Sequence, residues 1–273
     1  MRTTQAAGEL AEAVIGASLL AGTANIVMQL GRPSVGHGVV ESRVESGQIF
    51  RHPVKRSRTT LTYLAVAVLG TDEERRLFRR GVDKAHAQVY STESSPVAYN
   101  AFDRDLQLWV AACLYKGVED TYAAFIGDAD PATMASIYQD SATLGTTLQV
   151  PRAMWPADRE AFQRYWDEAM EQVHIDDTVG AYLHDLIKLR YLPRVLAAPF
   201  APLHRFVTTG FLPARFREEL GLTWTPRQQR RFDAAMSVVA SVSRRLPKPL
   251  RRFPYNALLA DLRRRVRAGR PLV

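Results

Sequence analysis

Residues 70–89, GTDEERRLFRRGVDKAHAQV, decide how the rest of the chain reads. Thr71 and Glu74 stand at capping-box spacing, in which a hydroxyl and a carboxylate satisfy backbone N–H groups that a helix start leaves free. Asp72, Glu73 and Glu74 fill the first turn, where the helix dipole favours negative charge. Behind that start, Phe78, Val82, His86 and Val89 recur at the interval that stacks side chains along one helix face. The stretch reads as an amphipathic helix whose apolar stripe carries an imidazole.

The same signals spread outward from it. Asp130-Pro131 and Thr225-Pro226 each set a capping side chain before a proline at the first helical position. Asp103 is placed to cap DLQLWVAACLYKG, which reads as stopping at Gly117. Ile137, Leu144 and Leu148 follow helical spacing, as do Phe162, Trp166 and Met170, and strand-like alternation is nearly absent. Breaks are expected at Arg51-His52-Pro53, Ser94-Ser95-Pro96, Val150-Pro151, Pro193, Pro199 to Pro202, Pro213 and Pro247 to Pro254. No repeat of fixed period is visible. The fold class expected is all-α, a single globular domain over 1–273 of roughly ten to twelve helices enclosing a buried cofactor pocket. Within it, 191–273 forms a basic helical extension, and Leu192 to Pro213 reads as a connector.

Composition narrows the chemistry. The chain has 273 residues, 47% of them hydrophobic and 23% charged, which suits a folded core and not a disordered chain. A lone cysteine, Cys113, excludes an intrachain disulfide and any multi-cysteine metal site. MRTTQAAGEL lacks the basic and apolar regions of a secretory signal, so the chain reads as cytoplasmic. Ala13 to Gly31 carries no charge over 19 residues. Its Ser18, Thr23, Asn25, Gln29 and three glycines favour a buried central helix over a membrane span.

The formal charge of +8 is uneven: from Arg190 onward 18 Lys+Arg face 4 Asp+Glu, a local +14, against 18 and 24 in the remainder. Such a region attracts nucleic acid, an anionic membrane surface or an acidic partner. No nucleic-acid motif accompanies it, so a solvated arginine-rich face is preferred to nucleic acid.

Glycine-rich phosphate loops, HExxH, CxxC and GxSxG are all missing. The six histidines therefore frame the question. His52 and His204 read as unremarkable, and His37 reads as a candidate ligand in a glycine-flanked loop. His174, His184-Asp185 and Asp233 follow the order of an HD-type metal phosphohydrolase, since imidazole and carboxylate together suit a divalent ion that activates water. An ordinary polar helix face explains them as well.

His86 has a further neighbour. Upstream, Arg56, Thr60, Tyr63 and Ala67 fall on one helix face, and a buried arginine needs an anion. An Arg/Thr/Tyr face opposite a histidine face suits a macrocycle with carboxylate tails, such as haem, with imidazole on iron and guanidinium on a propionate. A core histidine bonded to a carbonyl or carboxylate is the alternative reading.

Five motifs then occur in order: NIVMQLGRPSVGHGVVES, HPVKRSRTTLTYLAVAVLGT, VDKAHAQV, YNAFDRDLQLWVAACL and LGTTLQVPRAMWPADREAFQRYW. Together, from about Ala24 to Arg190, they resemble the domain shared by latex-clearing rubber oxygenases and the mycophenolate-pathway oxygenase. The resemblance implies an all-α fold holding haem b, with dioxygen as co-substrate and oxidation or cleavage of a carbon–carbon double bond in a hydrophobic small molecule. It puts the iron ligand at His86 and places Arg56 and Thr60 near the haem as catalytic and cofactor-binding residues. Tyr63 joins them as a cofactor contact, and Met28 and Phe78 as lining candidates. Asp103 and Asp105 read as capping or pairing residues, and Trp109 and Cys113 as core.

The chain also departs from the pattern. Thr59 stands where the rubber oxygenases have a distal lysine. Arg32, Glu41 and Tyr90-Ser91 replace a histidine, a histidine and an Arg-Gly pair. Two rival functions stay open at this point: the HD-type hydrolase, and a non-catalytic helical protein binding an anionic partner through its basic C-terminal third.

Overall fold

A computed structural model of the chain describes residues 7–273. Among them lie fifteen α-helical segments and no strand. They are α1 (Ala7–Ala13), α2 (Gly22–Leu30), α3 (Pro33–Val40), α4 (Pro53–Leu69), α5 (Asp72–His86), α6 (Arg104–Phe125), α7 (Pro131–Ser141) and α8 (Thr143–Thr146). After these come α9 (Arg159–Glu171), α10 (Asp177–Ile187), α11 (Arg194–Phe211), α12 (Ala214–Glu219), α13 (Pro226–Arg245), α14 (Lys248–Arg251) and α15 (Tyr255–Arg267). Four of the segments, α1, α8, α12 and α14, are shorter than eight residues, which accounts for the excess over ten to twelve helices. The expected capping holds at Thr71 with Glu74, at Asp103, at Asp130 and at Thr225 with Gln228.

The centre of the molecule is α6. Its Trp109, Ala111, Ala112, Cys113 and Tyr115 are fully buried, and it packs against α2, α8 and α13. Trp109 stacks on Trp166 with centroids 5.3 Å apart, and its indole N–H donates to the Gln29 carbonyl at 3.0 Å. Tyr115 meets Phe162 edge-on at 4.8 Å. Such aromatic contacts bury large apolar area, and the indole and phenol keep their polar atoms bonded. Cys113 is a core residue, as expected, and burial pushes its thiol pKa well up.

Four expectations about the course of the backbone need correction. Helix α6 runs through Gly117, where an added Cβ would lie 2.4 Å from Nδ2 of Asn25. The glycine admits α2 at close range and is not a stop. Helix α11 likewise continues through Pro199 and Pro202, where a connector was expected. Proline removes the bonds to the Val195 and Ala198 carbonyls, but both residues are solvent-exposed, so water satisfies those oxygens.

Next, the stretch from Ala13 to Gly31 is no continuous helix. It divides at Gly22 into a 3-10 turn, Gly16–Ala21, and α2. Gly16 permits a close approach that a Cβ would block, 2.1 Å from the Phe253 carbonyl oxygen. Finally, His37 lies in α3 and not in a loop, with only 2% of its surface exposed. No helix among the described residues is long and apolar enough to cross a membrane.

Candidate functional site

Helices α4 and α5 form a pair joined at Gly70 and Thr71. The Gly70 N–H closes α4 on the Val66 carbonyl at 2.9 Å, and the Thr71 capping box opens α5 immediately afterwards. This tight connection sets the Arg56/Thr60/Tyr63 face of α4 beside the Phe78/Val82/His86 face of α5. Tyr63 and Phe78 confirm the contact, with ring centroids 6.4 Å apart.

His86 is the last residue of α5, not a mid-helix position. Val89 has already left the helix, and its carbonyl accepts from the Ala101 N–H at 2.9 Å. Together with an isolated bridge between Tyr90 and Asn100, this returns the chain so that Phe102 meets the imidazole edge-on, 6.2 Å between centroids. Nδ1 of His86 is buried without a hydrogen-bond partner. Burial first, and then the nearby Arg56 charge, hold the ring's pKa down at about 4, with Asp83 pulling the other way. The imidazole is therefore neutral at physiological pH, the form that ligates a metal.

Arg56 is half-buried on α4. Burial depresses its pKa, with only a small opposing effect from Tyr182, and no carboxylate among the described residues pairs with it. Thr60 is half-buried one turn further along. Arg56, Tyr63 and His86 are each half-buried, so none of the three is sealed into the core. The Tyr63 hydroxyl donates to the Leu144 carbonyl and so tethers α4 to α8. Met28 and Phe78 are closed into the core, 2% and 0% exposed, and line no opening.

Asp83, Phe102 and Tyr182 join the site without having been expected there. Asp83, one turn before His86, was within reach of sequence reasoning; it accepts from the Gln149 side chain. Phe102 and Tyr182 arrive from distant segments and had no local signal.

The remaining candidates serve structure. His37 is held between Glu41, Nδ1 to Oε1 at 3.0 Å, and Asp176, Nε2 to Oδ2 at 2.6 Å. Glu41, one of the family departures, also accepts from Ser95 at 2.6 Å and Tyr99 at 2.8 Å, which anchors the segment that follows His86. His204 bridges Thr23 and the Ile187 carbonyl, and the exposed His52 begins α4. The HD-type set is not assembled. His174 faces Glu219 at 3.4 Å, Asp185 pairs with Arg190 at 2.9 Å, and Asp233 accepts from Gln229 at 2.8 Å. Among the described residues no group of three or more His, Cys, Asp or Glu side chains is arranged to hold a metal ion.

Two cavities lie apart from His86. One of about 260 Å³ includes Glu9, Glu12 and Arg251, and one of about 420 Å³ includes Arg32, Asp103 and Asp105. Their lining includes none of the α4 and α5 residues above.

Comparison with known proteins agrees with the motif order. Residues 13–241 match the family described as "ER-bound oxygenase mpaB/B'/Rubber oxygenase, catalytic domain". The chain is 48% identical over 255 residues to the uncharacterized protein Rv2237 of Mycobacterium tuberculosis, covering 93% of this chain and 100% of that protein. The uncharacterized protein Mb2261 of Mycobacterium bovis matches to the same extent, 48% over 255 residues. No solved structure matches. The chain belongs to the mpaB/rubber oxygenase catalytic-domain family.

Proposed function

We propose that this protein is a haem b-dependent oxygenase that uses dioxygen to oxidise or cleave a carbon–carbon double bond of a hydrophobic small molecule. The observation that carries the reading is a pair of unpartnered groups on the facing sides of α4 and α5, a buried imidazole nitrogen without a hydrogen bond and a half-buried guanidinium without a counter-anion, and the proposed cofactor crevice is the space between them. Leaving a charge desolvated and unpaired is costly, and a ligand bearing a carboxylate removes that cost. A neutral imidazole beside such a cation fits an iron macrocycle with anionic tails, so the donor set matches haem.

When bound, haem supplies the iron and the redox chemistry, and the protein supplies binding, orientation and polarity. His86 would hold the iron, and Arg56 would pair with a propionate through charge-assisted hydrogen bonds. Thr60 offers a hydroxyl on the same face of α4 for a hydrogen bond inside the crevice. Phe102 sets an apolar ring edge-on against the imidazole, which favours its neutral form. The Tyr63 tether fixes the distance between α4 and α8, so it shapes the wall without donating to the cofactor.

The test is titration of the full-length protein with haem, followed by absorbance. Wild type should retain haem through gel filtration and develop a Soret band. His86→Ala should lose that band while its far-ultraviolet circular dichroism stays unchanged. Folded wild-type protein that releases all added haem would sink the proposal.

A further inference from the structure

The C-terminal half of the chain leaves an apolar surface uncovered. On α11, Val195, Leu196, Phe200 and Leu203 are 82, 54, 60 and 62% exposed. All four lie in the N-terminal half of α11, which projects into solvent, whereas the C-terminal half of the same helix is anchored by the buried Val207, Thr208, Thr209 and Phe211. On α13, Val238 and Val242 stand one turn apart, 64 and 56% exposed, opposite the buried Phe232, Met236 and Ala240. Leu250 and Phe253, just beyond, are each 60% exposed.

These elements adjoin. The 3-10 turn Gly16–Ala21 packs against α11, α13 and α14 together, and its Leu19 and Leu20 are also exposed. Isolated surface hydrophobics are ordinary, but a group gathered on neighbouring elements marks an interaction surface.

Its rim is cationic. Arg194 and Arg205 flank the apolar stripe of α11, and Arg227, Arg231 and Arg245 lie toward the two ends of the exposed face of α13. None of the five has a carboxylate partner among the described residues. Asp233, the acidic residue of α13, turns aside to accept from Gln229.

An apolar centre with an arginine rim matches a bilayer interface, where hydrophobic side chains enter the acyl boundary and guanidinium groups meet lipid phosphates. A second copy of this chain fits less well, because a two-fold contact sets identical patches together and brings one arginine rim against the other. Nucleic acid would use the arginines and leave the Val, Leu and Phe side chains in water.

We propose that the α11/α13 face is a peripheral docking surface for anionic phospholipid bilayers. None of the residues of this face belongs to the Arg56/His86 site, so vesicle binding and haem binding are tested separately.

The experiment is co-sedimentation of the full chain with vesicles. One set is phosphatidylcholine alone, and the other contains about one-third phosphatidylglycerol, which supplies the negative surface potential. Binding to the anionic vesicles should exceed binding to the neutral ones by about tenfold or more and fall with added salt. The double variant Phe200→Ser/Leu203→Ser should lose about tenfold in partitioning with its circular dichroism unchanged. Arg227→Gln/Arg231→Gln should weaken binding and flatten its salt dependence.

Failure of the wild type to partition into anionic vesicles overturns the proposal, as does partitioning that the serine variant leaves intact. Light scattering supplies the competing outcome. A wild-type dimer that the serine pair converts to monomer, without vesicles present, would assign this face to a second copy.

Discussion

His86 makes the stability of the cofactor-free protein depend on pH in a direction that can be worked out in advance. An unfolded imidazole takes up a proton as pH falls through 6.5, whereas the buried ring resists until about 4. Between those values the unfolded state binds more protons, so stability falls as pH falls. Below the lower value both states are protonated and the dependence ends. Integrated from about pH 7 down to about pH 4.5, the loss is about 2 kcal/mol. Other groups titrate over the same range, so the useful quantity is a difference between two proteins. Urea denaturation of wild type and His86→Gln at several pH values cancels the shared titrations. The wild-type curve should drop relative to the variant by that amount, nearly all of it below the ordinary imidazole value. Parallel curves would mean that the ring is hydrated or already charged in the fold, and the argument for a neutral, ligand-ready imidazole would fail.

Arg56→Leu should stabilise the cofactor-free protein by about 2 kcal/mol, or roughly 4–8 °C in Tm by calorimetry, because it removes an unpaired buried charge that crevice water relieves only in part. The same variant should retain haem less well, and a lowered Tm would reveal a counter-anion supplied by the protein itself. Gly117→Ala sets helix propensity against packing: alanine is favoured by about 1 kcal/mol in a helix, but its Cβ would meet the Asn25 amide. Asn25 donates to the Cys113 carbonyl at 2.6 Å and cannot withdraw freely, so a net loss of about 1–3 kcal/mol is expected in urea denaturation. A more stable variant would refute the close approach of α2 and α6.

What was legible in the sequence was what neighbouring residues decide among themselves. Thr71 with Glu74, Asp103, Asp130 and Thr225 all cap as their spacing implies, since a cap needs only the next turn of backbone. The Arg56/Thr60/Tyr63 face was readable for the same reason, because helical periodicity assigns side chains to a side. What sits across from a face is set elsewhere in the chain. Gly117 resembled a stop because its reason for being glycine is Asn25, far away in sequence. Pro199 and Pro202 resembled a break because solvation of two freed carbonyls depends on which side of α11 meets water. Phe102 reaches His86 only through the Tyr90–Asn100 bridge, a pairing without any local motif.

The contact between α15 and the α4/α5 pair bears on when the site is made. Helix α15 packs along α4, and Arg263 grips Glu74 of α5 at 2.6 Å across a sequence separation of 189. A nascent polypeptide exposes α4 and α5 to the cell long before Arg263 leaves the ribosome. During that interval the two helices can be held by α8 and Gln149 but lack the brace that α15 supplies. The α4/α5 pair is therefore fully braced only once α15 has been synthesised and docked against it.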